Sequence, residues 1–287
     1  MRLLHGLAQI LDRFDACLVD QYGVLHDGTA IFPAAADSLF AVTAAGKPVV
    51  VITNSGKRAA ENIARLQRLG LPRDAFADLV SSGELTWQLL RDRPDAFFQA
   101  LGHRCLLVAR PGEAKFFDGL AIEIVDRIER ASFILLSSID QVGDQSAFDD
   151  LLRDAVRRRV PMLCSNPDLL SVVPGGAPVP GPGSAARRYE EYGGLVRIIG
   201  KPYPDLFDAA QRKTGIPDRS RILVIGDSLH HDIAGGRDGG FTTLLVASGV
   251  HAPDLMPGGV QVDPSTLAEL CDREGIIPDH VIKTLAF

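Results

Sequence analysis

Four short polar stretches in this chain each close or follow an apolar run, and their residue types could together handle a phosphoryl group. Asp20 ends the run Phe14-Asp15-Ala16-Cys17-Leu18-Val19, and Thr53-Asn54-Ser55 end the apolar residues 49–52. Lys201 follows Val196-Arg197-Ile198-Ile199-Gly200 directly. Gly226-Asp227-Ser228 close residues 221–225, and Asp232 stands a little further on. A carboxylate can attack phosphorus, and hydroxyl and amide groups can donate to phosphate oxygens. A lysine can neutralise the charge, and acidic oxygens suit a hard cation such as Mg²⁺. Read singly, Asp20 is a cap, Thr53-Asn54 a strand-end turn and Lys201 a surface lysine. Read as a set, they would converge on one edge, because open α/β sheets place ligands at the carboxyl ends of their strands.

The elements that must position them follow from periodicity and turn signals. Residues 3–12 read as a short amphipathic helix leading into the first buried strand. An alanine-rich helix over 34–45 is stopped by Gly46 and Pro48. Strand 49–52 and helix 59–69 repeat the pattern, with Gly70 as the stop. This alternation predicts an α/β fold with a doubly wound parallel sheet. Later, 196–200, 221–225 and 242–246 read as strands, and 204–214, 230–237 and 265–274 as helices. The interval from Thr53 to Lys201 far exceeds the dozen or so residues a crossover needs, so it is expected to hold a domain of its own. It carries strand-like runs at 104–109, 132–137 and 161–165, helices near 84–90 and over 149–158, and a Gly/Pro-rich hairpin or loop at 172–182. The expected division is 1–83 for the first part of the core, 84–182 for the inserted α/β domain and 183–287 for the second part.

In order and spacing, Asp20, Thr53, Lys201 and Asp227 with Asp232 resemble the motifs of the haloacid dehalogenase-like (HAD) hydrolases, over nearly the whole chain. The long insert between the threonine and the lysine is similar to the cap of the class IIA, NagD-like subfamily. So are Ser165-Asn166-Pro167-Asp168 and Pro180-Gly181-Pro182-Gly183-Ser184. The resemblance implies a Rossmann-like core and an aspartyl-phosphate on Asp20. It implies Mg²⁺ held by Asp20, Asp227 and the backbone carbonyl of Tyr22, with phosphate held by Thr53, Asn54, Ser55 and Lys201. Asp232 could hold Lys201 or a metal-bound water, or face solvent. Asp168 could reach substrate from the cap or simply make a Pro-Asp turn.

Tyr22 departs from the family pattern, which usually has a second aspartate there to protonate the leaving group and activate water. A phenol, with an ordinary pKa of about 10, is a poor base near neutrality. The family's dehalogenases resemble the chain at this position, since halide leaves without a proton, but they need no metal and insert their cap elsewhere. His26 and Asp27 are the nearest substitutes, although a turn rich in His, Asp and Gly is more often only a turn. The reading is a Mg²⁺-dependent phosphatase of a small phosphate monoester, a sugar or cofactor phosphate. The alternatives are a dehalogenase-type hydrolase or a catalytically weak protein that binds a phosphate ligand.

Composition bounds the rest. At 287 residues, 46% hydrophobic and 23% charged, the chain is ordinary for a globular protein with a large core. A net charge of -6 gives no electrostatic case for nucleic acid or an anionic membrane. Cys17, Cys105, Cys164 and Cys271 show neither zinc spacing nor a disulfide framework, and residues 3–11 are too short an apolar run to span a bilayer. A cytoplasmic protein is expected. Oligomeric state stays open, with a homodimer through the cap as the arrangement common among relatives.

Overall fold

The computed structural model describes residues 1–139, 143, 145–171, 179–256 and 261–287. The chain divides into two compact units. The first comprises Met1–Thr53, Ala60–Val80 and Lys201–Phe287, and the second Asn54–Ala59 and Ser81–Gly200.

The strands in chain order are β1 (Arg2–Leu4), β2 (Ala16–Asp20), β3 (Val49–Thr53), β4 (Asp78–Ser81), β5 (Arg104–Val108), β6 (Glu123–Val125) and β7 (Phe133–Leu136). They continue with β8 (Met162–Cys164), β9 (Leu170–Ser171), β10 (Val179–Pro180), β11 (Val196–Ile198), β12 (Ile222–Gly226), β13 (Thr242–Val246) and β14 (His280–Ile282). The first unit is built on a seven-stranded sheet in the order β1-β14-β13-β12-β2-β3-β4. From β2 the chain winds outward through β3 to β4, and after returning at β12 it winds the other way through β13 and β14. The reversal lies between β2 and β12, which pair in parallel from Ile222 opposite Ala16 to Ile225 opposite Val19. Residues of β2, β3 and β12 are buried along their whole length, which explains why these strands read as unbroken apolar runs without alternation.

The second unit holds a five-stranded sheet, β11-β8-β7-β5-β6, whose pairs are parallel. Its core gathers Leu106, Ile134, Leu136, Met162, Ala185, Ala186 and Ile198 around Tyr189. The Tyr189 hydroxyl donates to the Val160 carbonyl, so this large buried side chain has a partner for its polar end.

Two expectations change here. Residues 196–198 pair with Met162–Cys164 instead of resuming the first sheet, and the helix Pro182–Glu191 packs with them. The second unit therefore runs to Gly200, beyond the expected boundary at 182. A three-residue strand carries too little pattern to name its neighbour, and the register with β8 decides it. At the N-terminus the expected helix is a strand, β1, paired in parallel with β14, followed by a 3₁₀ segment at Leu7–Arg13. That pairing joins residues at opposite ends of the chain, which no local pattern encodes. Within the expected hairpin over 172–182, residues 172–178 lie outside the described set, and its margins β9 and β10 pair antiparallel. Among the described residues no helix is long and apolar enough to cross a membrane.

One buried hydroxyl tests this packing. Thr86 lies inside the helix Ser82–Asp92, fully buried, with no hydrogen-bond partner for Oγ1 among the described residues. A buried unsatisfied donor costs about 1–3 kcal/mol. Thr86→Val removes it at nearly constant shape, so chemical denaturation should show unchanged or higher stability, by up to about 1 kcal/mol.

Candidate active site

Asp20 ends β2, and Gly226 ends β12 beside it, so Asp227 leaves the sheet at its point of reversal. Asp20 is paired with Ile52 of β3, whose next residue is Thr53. The topology thus delivers three of the polar strand ends to adjacent positions at one edge of one sheet. Asp20, Thr53, Lys201, Asp227 and Asp232 are all buried.

Lys201 ties the cluster together. Its Nζ lies 2.7 Å from Asp20 Oδ1 and 2.7 Å from Asp232 Oδ1. Asp232 is also held through its other oxygen, which accepts from the Ser228 N–H at 3.2 Å. Both of its oxygens therefore have protein partners, one of them the Lys201 ammonium. A π-helical turn at Leu229–Ile233 carries it, the kind of irregular turn that tends to mark functional sites. Gly226 leaves room for it, since a Cβ there would fall 2.0 Å from the Asp232 Cγ.

Asp227 is gripped by main chain. Its Oδ2 accepts from the Val250 N–H at 2.8 Å. A Cβ on Gly23 would fall 2.1 Å from Oδ2, and one on Gly249 would fall 2.2 Å from both its Cβ and Oδ2. Gly23 also holds a φ of +81°, which a side chain would strain. The sequence reading missed Gly249 and Val250, although they follow the end of β13, another strand of the same sheet.

The electrostatics are unbalanced. Asp20, Asp227 and Asp232 each offer a carboxylate oxygen within 4.8 Å of the others. Burial pushes the Asp20 carboxyl up, partly countered by Lys201. Burial, together with the charges of Asp20 and Asp232, pushes Asp227 well above the ordinary carboxylate range. Burial disfavours the Lys201 ammonium as well, but the two aspartates outweigh it and hold its pKa above that of an ordinary lysine. Three carboxylates face one ammonium, and the surplus negative charge with its hard oxygen donors fits a divalent cation. Asp20, Asp227 and Asp232 each place an oxygen where it could take part in holding one.

Tyr22 leaves its ring 43% exposed, set edge-on to His26 with centroids 5.8 Å apart. His26 is buried; its Nδ1 accepts from the Gly28 N–H, and burial lowers its pKa to about 4. Asp27 accepts from the Thr29 hydroxyl and from the Thr29 and Ala30 N–H groups, which lower its pKa to about 2. The His-Asp-Gly stretch is thus a closed turn that seats Tyr22.

Asn54, Ser55 and Asp168 fall in the second unit. Asn54 Nδ2 donates to Asp168 Oδ1 at 2.8 Å, so the expected cap aspartate meets the expected phosphate-site amide. The segment after Asn54 rests on the first turn of the helix Ser82–Asp92. Gly83 N–H donates to the Ser55 carbonyl, Ser81 Oγ to that of Lys57, and Glu84 accepts from Arg58 and the Ala59 N–H.

The chain is similar to known proteins of one family. A family model described as haloacid dehalogenase-like hydrolase matches residues 17–123, and one described as HAD-hydrolase-like matches 198–286. Chronophin of Mus musculus is 30% identical over 268 residues, covering 85% of each chain. Glycerol-3-phosphate phosphatase of Gallus gallus is 27% identical over 294 residues, covering 96% of this chain and 91% of that one. The crystal structure of a haloacid dehalogenase-like family hydrolase from Brucella suis 1330 superposes with a TM-score of 0.81 at 30% identity, over 99% and 100% of the two chains. A structure titled putative nagD protein is similar at 25% identity and a TM-score of 0.66, over 83% and 90%.

The crowding of carboxylates has a measurable cost. Because burial and like charges raise the Asp227 pKa above its unfolded value, its ionised form destabilises the metal-free fold above that unfolded value, and the penalty fades as pH falls. Asp227→Asn should therefore raise the melting temperature of metal-free protein at pH 7.5, at about 2–4 °C per kcal/mol recovered. Added Mg²⁺ should stabilise wild type and not the variant. Calorimetric melts with chelator and with Mg²⁺ check both.

Proposed function

Because the chain belongs to the haloacid dehalogenase-like hydrolases, in their NagD-like class, and is a phosphatase, we propose that it hydrolyses a small phosphate monoester with Mg²⁺ through an aspartyl-phosphate on Asp20. The observation that carries this reading is Lys201 bound between Asp20 and Asp232 beside Asp227, at the reversal of a parallel sheet. The relative named glycerol-3-phosphate phosphatase supports a small phosphate monoester, of the sugar- or cofactor-phosphate kind, as substrate.

In this reading Lys201 fixes one oxygen of Asp20 and the other attacks phosphorus in line. The ester P–O bond breaks as the Asp20 O–P bond forms; the electron pair leaves with the ester oxygen, which takes a proton from solvent to become the alcohol. Thr53, Asn54 and Ser55 donate to the equatorial oxygens, where charge spreads in the transition state. Lys201 compensates the same charge. Asp168 orients the Asn54 amide toward its task. Asp20, Asp227 and the backbone oxygen of Tyr22 would hold Mg²⁺, which when bound would screen the repulsion between carboxylate and phosphate and polarise the phosphoryl group. Water then attacks the phosphorus of the aspartyl-phosphate and releases Asp20 as a carboxylate, while its proton passes to the phosphate product or to solvent.

Tyr22 is the feature that favours a second reading, a protein that holds a phosphate ligand with weak turnover. A phenol can donate to a leaving oxygen but is a poor base for the second step.

A panel of phosphomonoesters assayed with and without Mg²⁺ separates the readings. Turnover of at least one ester, lost with chelator and lost in Asp20→Asn, is the expected result. No turnover together with saturable phosphate binding would favour the second reading.

Tyr22→Asp should raise turnover by part of the roughly 10²–10⁴-fold that general acid–base assistance supplies. A wild type that is already fast, and slowed by Tyr22→Asp, would show that the phenol or another group already moves the proton.

A further inference from the structure

We propose that His251 is a positioning residue that fixes which oxygen of Asp227 is presented to the cation, an inference that rests on the Mg²⁺ reading above. His251 lies outside the motifs that carry the reaction. Its Nε2 accepts from the Leu229 N–H at 3.2 Å, so the neutral ring carries its proton on Nδ1.

This bond closes a short loop of structure around Asp227. On one side, Asp227-Ser228-Leu229 leads from β12 into the π-helical turn. On the other, Gly249-Val250-His251 follows β13. Gly249 packs its main chain against the Asp227 side chain with no room for a Cβ. Val250 donates its N–H to Asp227 Oδ2. His251 then fastens this segment to Leu229, two residues after Asp227 itself. The carboxylate is thereby held in one rotation about its Cβ–Cγ bond, with Oδ2 turned to Val250 and Oδ1 left for the cation.

The histidine bond is well placed for this because Leu229 N–H stands at the first residue of the π-helical turn, where helical donors lack intrahelical acceptors. Leu229 is fully buried, so an acceptor lost there is not easily replaced by water. Among the described residues, losing it leaves segment 249–251 held to Asp227 chiefly by the Val250 bond and the Gly249 contact, beside the backbone bonds that run on into residues 252–255. Carboxylate ligands are typically fixed by such outer partners, whose loss costs about 10–100-fold in metal affinity.

The test is a calorimetric Mg²⁺ titration of the metal-free full chain in four forms: wild type, His251→Leu, His251→Gln and Asp227→Asn. Leucine has similar bulk and no acceptor, whereas glutamine keeps an oxygen that can accept from Leu229. His251→Leu should weaken Mg²⁺ binding about tenfold. His251→Gln should restore most of that affinity, and the metal-free melting temperatures of the two should lie close together. Equal Mg²⁺ affinity in His251→Leu and wild type would overturn the proposal. Equal loss in the leucine and glutamine variants would overturn it too, since the acceptor would then be irrelevant. Asp227→Asn reports on the underlying reading separately. If it leaves Mg²⁺ binding unchanged, the metal assignment fails whatever the histidine variants do.

Discussion

The constraint on which this molecule turns is a buried surplus of negative charge. Three aspartates converge within a few ångströms of one another, and one ammonium, that of Lys201, is shared between two of them. Ionised groups leave water only at high cost unless they are paired, and this cluster is paired only in part. Lys201 and Asp232 form its settled portion, with both Asp232 oxygens and the Lys201 ammonium engaged. Asp227 is the unsettled one, pushed toward its neutral form by burial and by its neighbours. A bound cation or protonation of a carboxyl would each relieve a surplus of this kind.

The rest of the first unit can be read as the apparatus that makes the imbalance tolerable. Fully buried strands set the carboxylates at fixed heights, with register determining that Asp20 stands beside Gly226 and Ile52. Glycines then allow the close approaches. Gly226 admits Asp232, while Gly23 and Gly249 press on Asp227 from the backbone. Side chains at these three positions would push the carboxylates away from one another and dissolve the site electrostatically as well as sterically. Pre-organisation of this kind matters because phosphoryl transfer asks the protein mainly for position and charge.

Tyr22 belongs to a different kind of structure, a compact turn with its own internal bonding. His26 accepts through Nδ1 from Gly28, and Asp27 accepts from Thr29 and Ala30, which holds both in the turn. Tyr22 packs beside Gly28, where an added Cβ would fall 3.4 Å from its ring, yet it remains 43% exposed. The chemistry near Asp20 is therefore to be understood with a phenol in place.

Much of this was determined by the sequence alone. Apolar runs ending in Asp20, Thr53 and Asp227 are legible because strands buried on both faces need continuous hydrophobicity and must end in polar residues where they leave the core. The inserted domain is legible from the distance between Thr53 and Lys201. Only the tertiary structure decided which strands pair. The three residues of β11 could have served either sheet, and β1 pairs with a strand at the far end of the chain. Tertiary structure also decided that Asp232 holds Lys201, that Asn54 meets Asp168, and that Gly249, Val250 and His251 surround Asp227. These are contacts between residues distant in sequence, made by backbone groups or by side chains of ordinary type. Local pattern records which face of an element is buried; it does not record what lies opposite, because that is set only when the elements pack.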